Sequence, residues 1–305
     1  MTEAVSVNEL FTDMFSRIQA PVLPAAVSRL LSEINSPEPD VTKLELIISA
    51  EPQISARVMR TINSSQFALR VQVKSVRHAI ALLGFNRIRS IVLSYAMLDA
   101  LPRPKCQLFR HEMFWTDTLL RGILARELCL RTSTLDAEEA FTAMILADVS
   151  VPVLLECWEE TYAQIIVRWE GHPKELSYLE KKAFGWDHSR ASAWVLNHWQ
   201  FPKDLVDLVG AHNLEPDELK KAGFKGTLAE HISCAALLPS SIKPLEGRCH
   251  KLVRTARKSL GLPLSEWPEI IQSMRDQFGA VCDEFGLSGQ YALEILDVLT
   301  RTSKD

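Results

Sequence analysis

Acidic residues are missing from a long internal stretch of this chain. Between Pro52 and Leu98 there is no Asp or Glu, while Arg57, Arg60, Arg70, Lys74, Arg77, Arg87 and Arg89 supply seven basic groups. Such a bias predicts a positive surface suited to an acidic partner segment, a phosphate-bearing ligand or nucleic acid, unless neighbouring acids absorb it. Those acids exist, because Met1 to Glu51 holds eight of them against three bases. The net charge of the whole chain is -4, which excludes a uniformly basic binder, so a nucleic-acid partner is not expected. A second basic run, Arg248, Lys251, Arg254, Arg257 and Lys258, reads as the exposed face of a helix.

Other absences narrow the class further. No stretch approaches the roughly 18 uninterrupted apolar residues of a membrane span, and Glu3, Glu9 and Asp13 stand where a secretory signal needs a basic start and an apolar run. A cytoplasmic protein without membrane contact is expected. The six cysteines, Cys106, Cys129, Cys157, Cys234, Cys249 and Cys282, form no CxxC pair, which fits reduced thiols. The 12 glycines are dispersed, with no GxxxxGK[ST] or GxGxxG loop and no GxSxG elbow, and HExxH is absent as well. Phosphate-loop, dinucleotide-binding, zincin and hydrolase-elbow chemistry are thereby excluded, and no cofactor is expected.

Strand patterns are nearly absent and helical ones recur from end to end. Val27, Leu30, Leu31 and Ile34 form one stripe; Thr42 with Glu45 predicts a capping box; Pro52 suits a first turn ahead of Ile54, Val58 and Ile62. Gly84 then Asn86 read as the end of one helix and the cap of the next. The run Leu101-Pro102-Arg103-Pro104 cannot continue a helix and predicts a boundary. The expected architecture is all-α: an N-terminal segment over 1–20, a helical subdomain over 21–101, a second over 105–240 and a helical extension over 241–305. The tryptophans at 158, 169, 186, 194 and 199 crowd the second subdomain and are expected to fill core.

Three polar residues occupy positions that the helical period reserves for apolar ones. Asp148 ends the stripe Phe141, Met144, Ile145; His188 opens Ala191, Ser192, Val195; His212 closes Leu205, Leu208, Val209. A carboxylate and two imidazoles are expected to point inward, where each requires a partner, a metal or a ligand.

The segments "LELIISAEPQISARVMRTINSSQFAL" and "KSVRHAIALLGFNRIRSIVLSYAML", followed by "FWTDTLLRGILAREL", "EEAFTAMILADVSVPVLLE", "LEKKAFGWDHSRASAWVLNHWQFPKDLV" and "GAHN", resemble the HDOD family, relatives of the HD and HD-GYP metal-dependent phosphohydrolases. The resemblance runs from near Leu23 to His212. It implies two packed helical subdomains, the second shaped like the HD catalytic domain, in a signal-transduction module that acts through protein contacts, as a response-regulator output does. In catalytic HD proteins a first His, an adjacent His-Asp pair, later histidines and a late Asp hold metal. Here those positions are Asp117, Ala147-Asp148, His188 with His212, and Ala236. The resemblance therefore implies a degenerate metal site, no enzyme and no bound metal, with Asp148 pairing with His188 or His212 to hold helices together. The alternatives are a residual phosphohydrolase using Asp117, Asp148, His188 and His212, or a nucleotide sensor without hydrolysis. The acid-free stretch is the candidate contact surface for a signalling partner supplied in trans.

Overall fold

The computed structural model describes residues 22–63, 71–171, 175–285, 287 and 289–304. Among them there are helices and no strand, as the patterns predict. Five helices, α1 (Ala25–Ile34), α2 (Val41–Ser49), α3 (Pro52–Ile62), α4 (Val76–Leu83) and α5 (Phe85–Ala100), build the first subdomain. The second carries α6 (His111–Thr132), α7 (Ala137–Ala147), α8 (Ser150–Cys157), α9 (Glu159–Gly171), α10 (Leu176–Phe184), α11 (His188–His198), α12 (Lys203–Ala211), α13 (Pro216–Lys221) and α14 (Leu228–Ala235). The extension adds α15 (Glu246–Leu260), α16 (Trp267–Phe285) and α17 (Gln290–Thr302).

Local chemistry explains most of these boundaries. The predicted stripe Val27, Leu30, Leu31 and Ile34 is the buried face of α1, and Pro52 sits in the first turn of α3. Two details differ from expectation. The cap of α2 is Asp40, whose side chain accepts from the amides of Thr42 and Lys43, while Thr42 and Glu45 instead bind Arg77 of α4. Gly84, at φ 85°, serves as both the end of α4 and the start of α5, which leaves Asn86 inside the helix; a side chain at Gly84 would be strained by that φ rather than crowded.

The centre of the molecule is the α6–α7 pair. α6 is buried on every side for most of its length, and Gly122 lets α7 approach, since a Cβ there would stand 3.1 Å from the Phe141 ring. α5 docks on α7 through a buried hydroxyl set in which Thr142 Oγ1 donates to the Ser90 carbonyl at 3.0 Å and lies 3.1 Å from Ser94 Oγ. The extension packs back on α6: Glu127 accepts from Ser273 at 2.9 Å and Gln277 at 2.6 Å, and Arg126 donates to the side-chain Oε1 of Gln277. One continuous apolar core therefore runs from Leu23 to Leu299, with Trp267 at full burial inside it. The stretch Ala137–Cys157 is apolar and long enough to span a bilayer, but 78 % of its most apolar window is buried in this core. Trp169, Trp186 and Trp199 are buried as well.

Candidate functional site

The three inward polar residues do meet, and each stands at a helix end. Asp148 follows the last turn of α7, His188 is the first residue of α11, and His212 follows the last turn of α12. A carboxylate at a C-terminus and an imidazolium at an N-terminus both oppose the helix dipole, so each depends on partners from elsewhere in the fold. The ligand atoms of the three residues all lie within 4.8 Å of one another. Asp148 Oδ1 is 3.4 Å from His188 Nε2 and 3.6 Å from His212 Nε2.

Two charged residues complete the cluster, and neither belongs to the set expected from sequence. Arg121 of α6 donates from Nη1 to Asp148 Oδ2 at 2.9 Å and from Nε to the Leu238 carbonyl at 3.1 Å. Glu180 of α10 is fully buried and accepts three hydrogen bonds: from Tyr162 Oη at 2.5 Å, the His188 amide at 2.9 Å and His188 Nδ1 at 2.6 Å. Helical spacing gives only a faint sign of either residue. Glu180 shares the face of Leu176 and Leu179, and Arg121 lies one turn after Asp117 on α6.

The two imidazoles are held in opposite protonation states. Burial opposes a charge on His188, but Glu180, Asp148 and Asp187 outweigh it and raise its pKa to about 9. Its Nε2 then faces Asp148, with the Asn213 carboxamide 2.9 Å away. In His212 burial prevails and the pKa falls; Nδ1 donates to the Val209 carbonyl at 2.7 Å, and Nε2 is buried without a hydrogen-bond partner. Burial also disfavours the Asp148 charge, but His188, Arg121 and His212 overcome it and lower its pKa. Tyr162 is pushed up by burial and by Glu180, so it remains a donor.

A pH dependence follows from His188. Its folded pKa of about 9 exceeds the ordinary 6.5. Its contribution to stability is therefore complete below pH 6.5 and is lost as pH rises through about 9. Thermal unfolding followed from pH 6.5 to 9 should show a decline, on the order of 3 kcal/mol in total, that is largely absent in His188→Gln. Parallel curves for the two proteins would contradict the imidazolium assignment.

The remaining expected positions fall elsewhere. Asp117 does not join the cluster: Ser240 Oγ at 2.5 Å and the Ser241 amide at 2.7 Å occupy both its oxygens, and burial raises its pKa. Ala147 is fully buried in apolar core, and Ala236 ends α14 at the cavity wall. The cavity beside the cluster holds about 110 Å³, with Arg121, His188 and His212 at its polar end and Phe109, Phe114 and Trp169 among its apolar walls. Asp148, His188 and His212 are a reasonable donor set for a divalent ion, and the unpaired His212 Nε2 is oriented as a ligand would be. Yet the Arg121 guanidinium stands where Asp148 would have to share its charge, so the site as built does not fit a metal.

The basic stretch does not form one surface. Arg89 is an interior residue, 13 % exposed, bridging Glu139 of α7 at 3.5 Å and Asp204 of α12 at 3.2 Å. Arg77 is exposed but paired with Glu45 at 3.2 Å; Arg60 and Lys74 are exposed; Arg57 and Arg87 are half-buried and make contacts of their own. Arg70 lies outside the described residues.

Comparison with known proteins gives this architecture a family. A Geobacter sulfurreducens HDOD domain protein of unknown function superimposes with a TM-score of 0.66 at 17 % identity, over 98 % of this chain and 99 % of that one. A Shewanella amazonensis protein provisionally described as a phosphohydrolase gives 0.64 at 22 % identity, over 94 % and 97 %. In sequence, the uncharacterized protein YuxH of Bacillus subtilis is 30 % identical over 104 residues, which are 34 % of this chain and only 25 % of that protein. The sequence pattern of the HDOD domain matches residues 20–214. That match covers well over half of the chain, and the protein is a member of the HDOD domain family.

Proposed function

We propose that this protein is a regulatory module of signal transduction that acts in the cytoplasm through protein contacts and without catalysis. The observation that carries the reading is the state of the old catalytic position. The charge of Asp148 is met by Arg121, His188 is locked by Glu180, and Asp117 is spent on the Ser240–Ser241 turn. Nothing in that arrangement leaves a carboxylate available to activate water. A solved neighbour from Marinobacter aquaeolei, provisionally described as a signal transduction protein, shares the fold with a TM-score of 0.57.

The contact surface on this reading is narrower than the acid-free stretch. On the neighbouring helices α2 and α4, Leu46 and Leu82 are 65 % and 44 % exposed, with Val71, Lys74 and Arg77 alongside in sequence. Exposed apolar side chains on helices that also carry exposed cations suit an acidic partner segment with apolar anchors. Charge reversal of Arg60, Lys74 and Arg77 together should abolish capture of partners in an affinity pull-down while leaving Tm within about 2 °C, since exposed charges contribute little to stability. Unchanged capture would refute the surface. The same preparation incubated with Mn(II) and a phosphodiester should turn over no faster than Asp148→Ala.

The cavity supports a second reading, a sensor of a phosphate-bearing small molecule that does not hydrolyse it. Saturable stabilisation by a cyclic nucleotide in a thermal-shift screen, lost on His212→Ala, would favour that reading.

A further inference from the structure

The cluster brings three metal-donor groups together with an arginine already seated on one of them. In a tetrahedral site with bonds of about 2.1 Å, neighbouring ligand atoms stand about 3.4 Å apart. Asp148 Oδ1 lies 3.4 Å from His188 Nε2 and 3.6 Å from His212 Nε2, so two of the three donor spacings match those around a coordinated ion, and all three atoms lie within 4.8 Å of one another. The outer contacts agree: His188 Nδ1 is fixed by the Glu180 carboxylate and His212 Nδ1 by the Val209 carbonyl, which aims both Nε2 atoms inward. His212 Nε2 is 2 % exposed as a residue and has no partner.

What stands against a metal is a second cation that cannot drift away. Arg121 lies on the largely buried helix α6, holds Asp148 Oδ2 at 2.9 Å and is tethered by its Nε to the Leu238 carbonyl at 3.1 Å. Arg248 fixes the preceding carbonyls of the same turn, Ala236 at 2.7 Å and Leu237 at 3.1 Å. The turn that follows α14, where catalytic relatives would place a late aspartate, therefore offers carbonyls to two guanidiniums.

We infer that Arg121 is a resident substitute for the divalent cation: it neutralises the carboxylate that would complete a donor set with His188 and His212, and its removal opens the site to metal. A dication and a guanidinium sharing one carboxylate repel each other. Arg121 is thus a positioning residue that keeps the remnant site closed. The inference stands on the same site whose lack of catalysis is proposed above, but its readout is metal affinity rather than turnover, so either can fail alone.

The test is a gain of function. Wild type, Arg121→Met, Arg121→Gln and the double variant Arg121→Met with Asp148→Ala are freed of metal by chelator and titrated with Zn(II) by calorimetry, with thermal melting in parallel. The single variants should bind one equivalent at least about ten-fold more tightly than wild type, the scale on which groups around a ligand set affinity. Zn(II) should raise their Tm and leave that of wild type unchanged. The double variant should lose the gain, which also subtracts any Zn(II) held by the exposed Cys157. Arg121→Gln keeps a donor for Asp148 and the Leu238 carbonyl, and serves if Arg121→Met does not fold. One-equivalent binding by wild type as tight as that of the variants would overturn the inference, and so would folded variants that bind no more than wild type.

Discussion

Replacing Glu180 by alanine should destabilise the protein by about 3–5 kcal/mol, the cost of removing one member of a buried ion pair. Glu180 is fully buried and its two oxygens accept from Tyr162, the His188 amide and His188 Nδ1. Truncation leaves three donors without acceptors in a place where water does not compensate. Without Glu180 the imidazolium also loses its strongest partner, so the raised pKa of His188 collapses and its stabilising effect between pH 6.5 and 9 disappears. Glu180→Gln should separate the two effects: it keeps volume and one acceptor, loses less stability, and still flattens the pH dependence. Chemical denaturation at pH 6.5 and 9 measures both. A Glu180→Ala protein within 1 kcal/mol of wild type would mean that His188 is neutral and the cluster is not an ionic lock.

The second large effect is expected at Arg89, which joins the two subdomains. Its guanidinium reaches both Glu139 and Asp204, which also hydrogen-bond to each other, and the pKa of Glu139 is raised to about 7 by burial and by Asp204, against the pull of Arg89. Arg89→Glu would place a third carboxylate between them. The expected loss is about 3 kcal/mol, the low end for stripping a buried charge of its partner, because Asp204 is half exposed and screened. Arg77→Glu, twelve residues earlier in the same acid-free stretch but exposed on α4, should cost no more than about 1 kcal/mol. The Arg89 variant should recover stability on acidification below pH 7, since its carboxylates are relieved of repulsion by protonation, whereas the Arg77 variant should not. Equal losses for the two substitutions would show that burial does not distinguish them.

That contrast shows where pattern reading ran out. Arg77 and Arg89 belong to one charge run and look alike along the chain, yet Arg89 pairs with a residue 115 positions away. Linear charge bias measures composition, and whether a cation faces water depends on which helix packs over it. The capping of α2 has the same origin. Thr42 and Glu45 have the spacing of a capping box, but the guanidinium of Arg77 competes for both, and Asp40 takes over the cap.

The helical stripes themselves were legible, because an amphipathic helix advertises its buried face every three or four residues. Asp148, His188 and His212 were visible for that reason, as polar interruptions of an apolar period. Arg121 was concealed by the opposite circumstance: α6 is buried on all sides, so no stripe exists for a charge to interrupt. Glu180 lay beside two lysines in "LEKKAF", a context that reads as a solvated face until Tyr162 and His188 close over it.

From order and type of residue alone came the all-helical class and the succession of helices, while absent ligands at Ala147 and Ala236 were implied only by the resemblance to HD proteins. The class and the succession follow from local propensity, which requires no partner. The tertiary fold alone settled what the surviving groups do. Electrostatic pairing acts through space over a few ångströms, and only packing brought Arg121 and Glu180 to the carboxylate and the imidazole that need them.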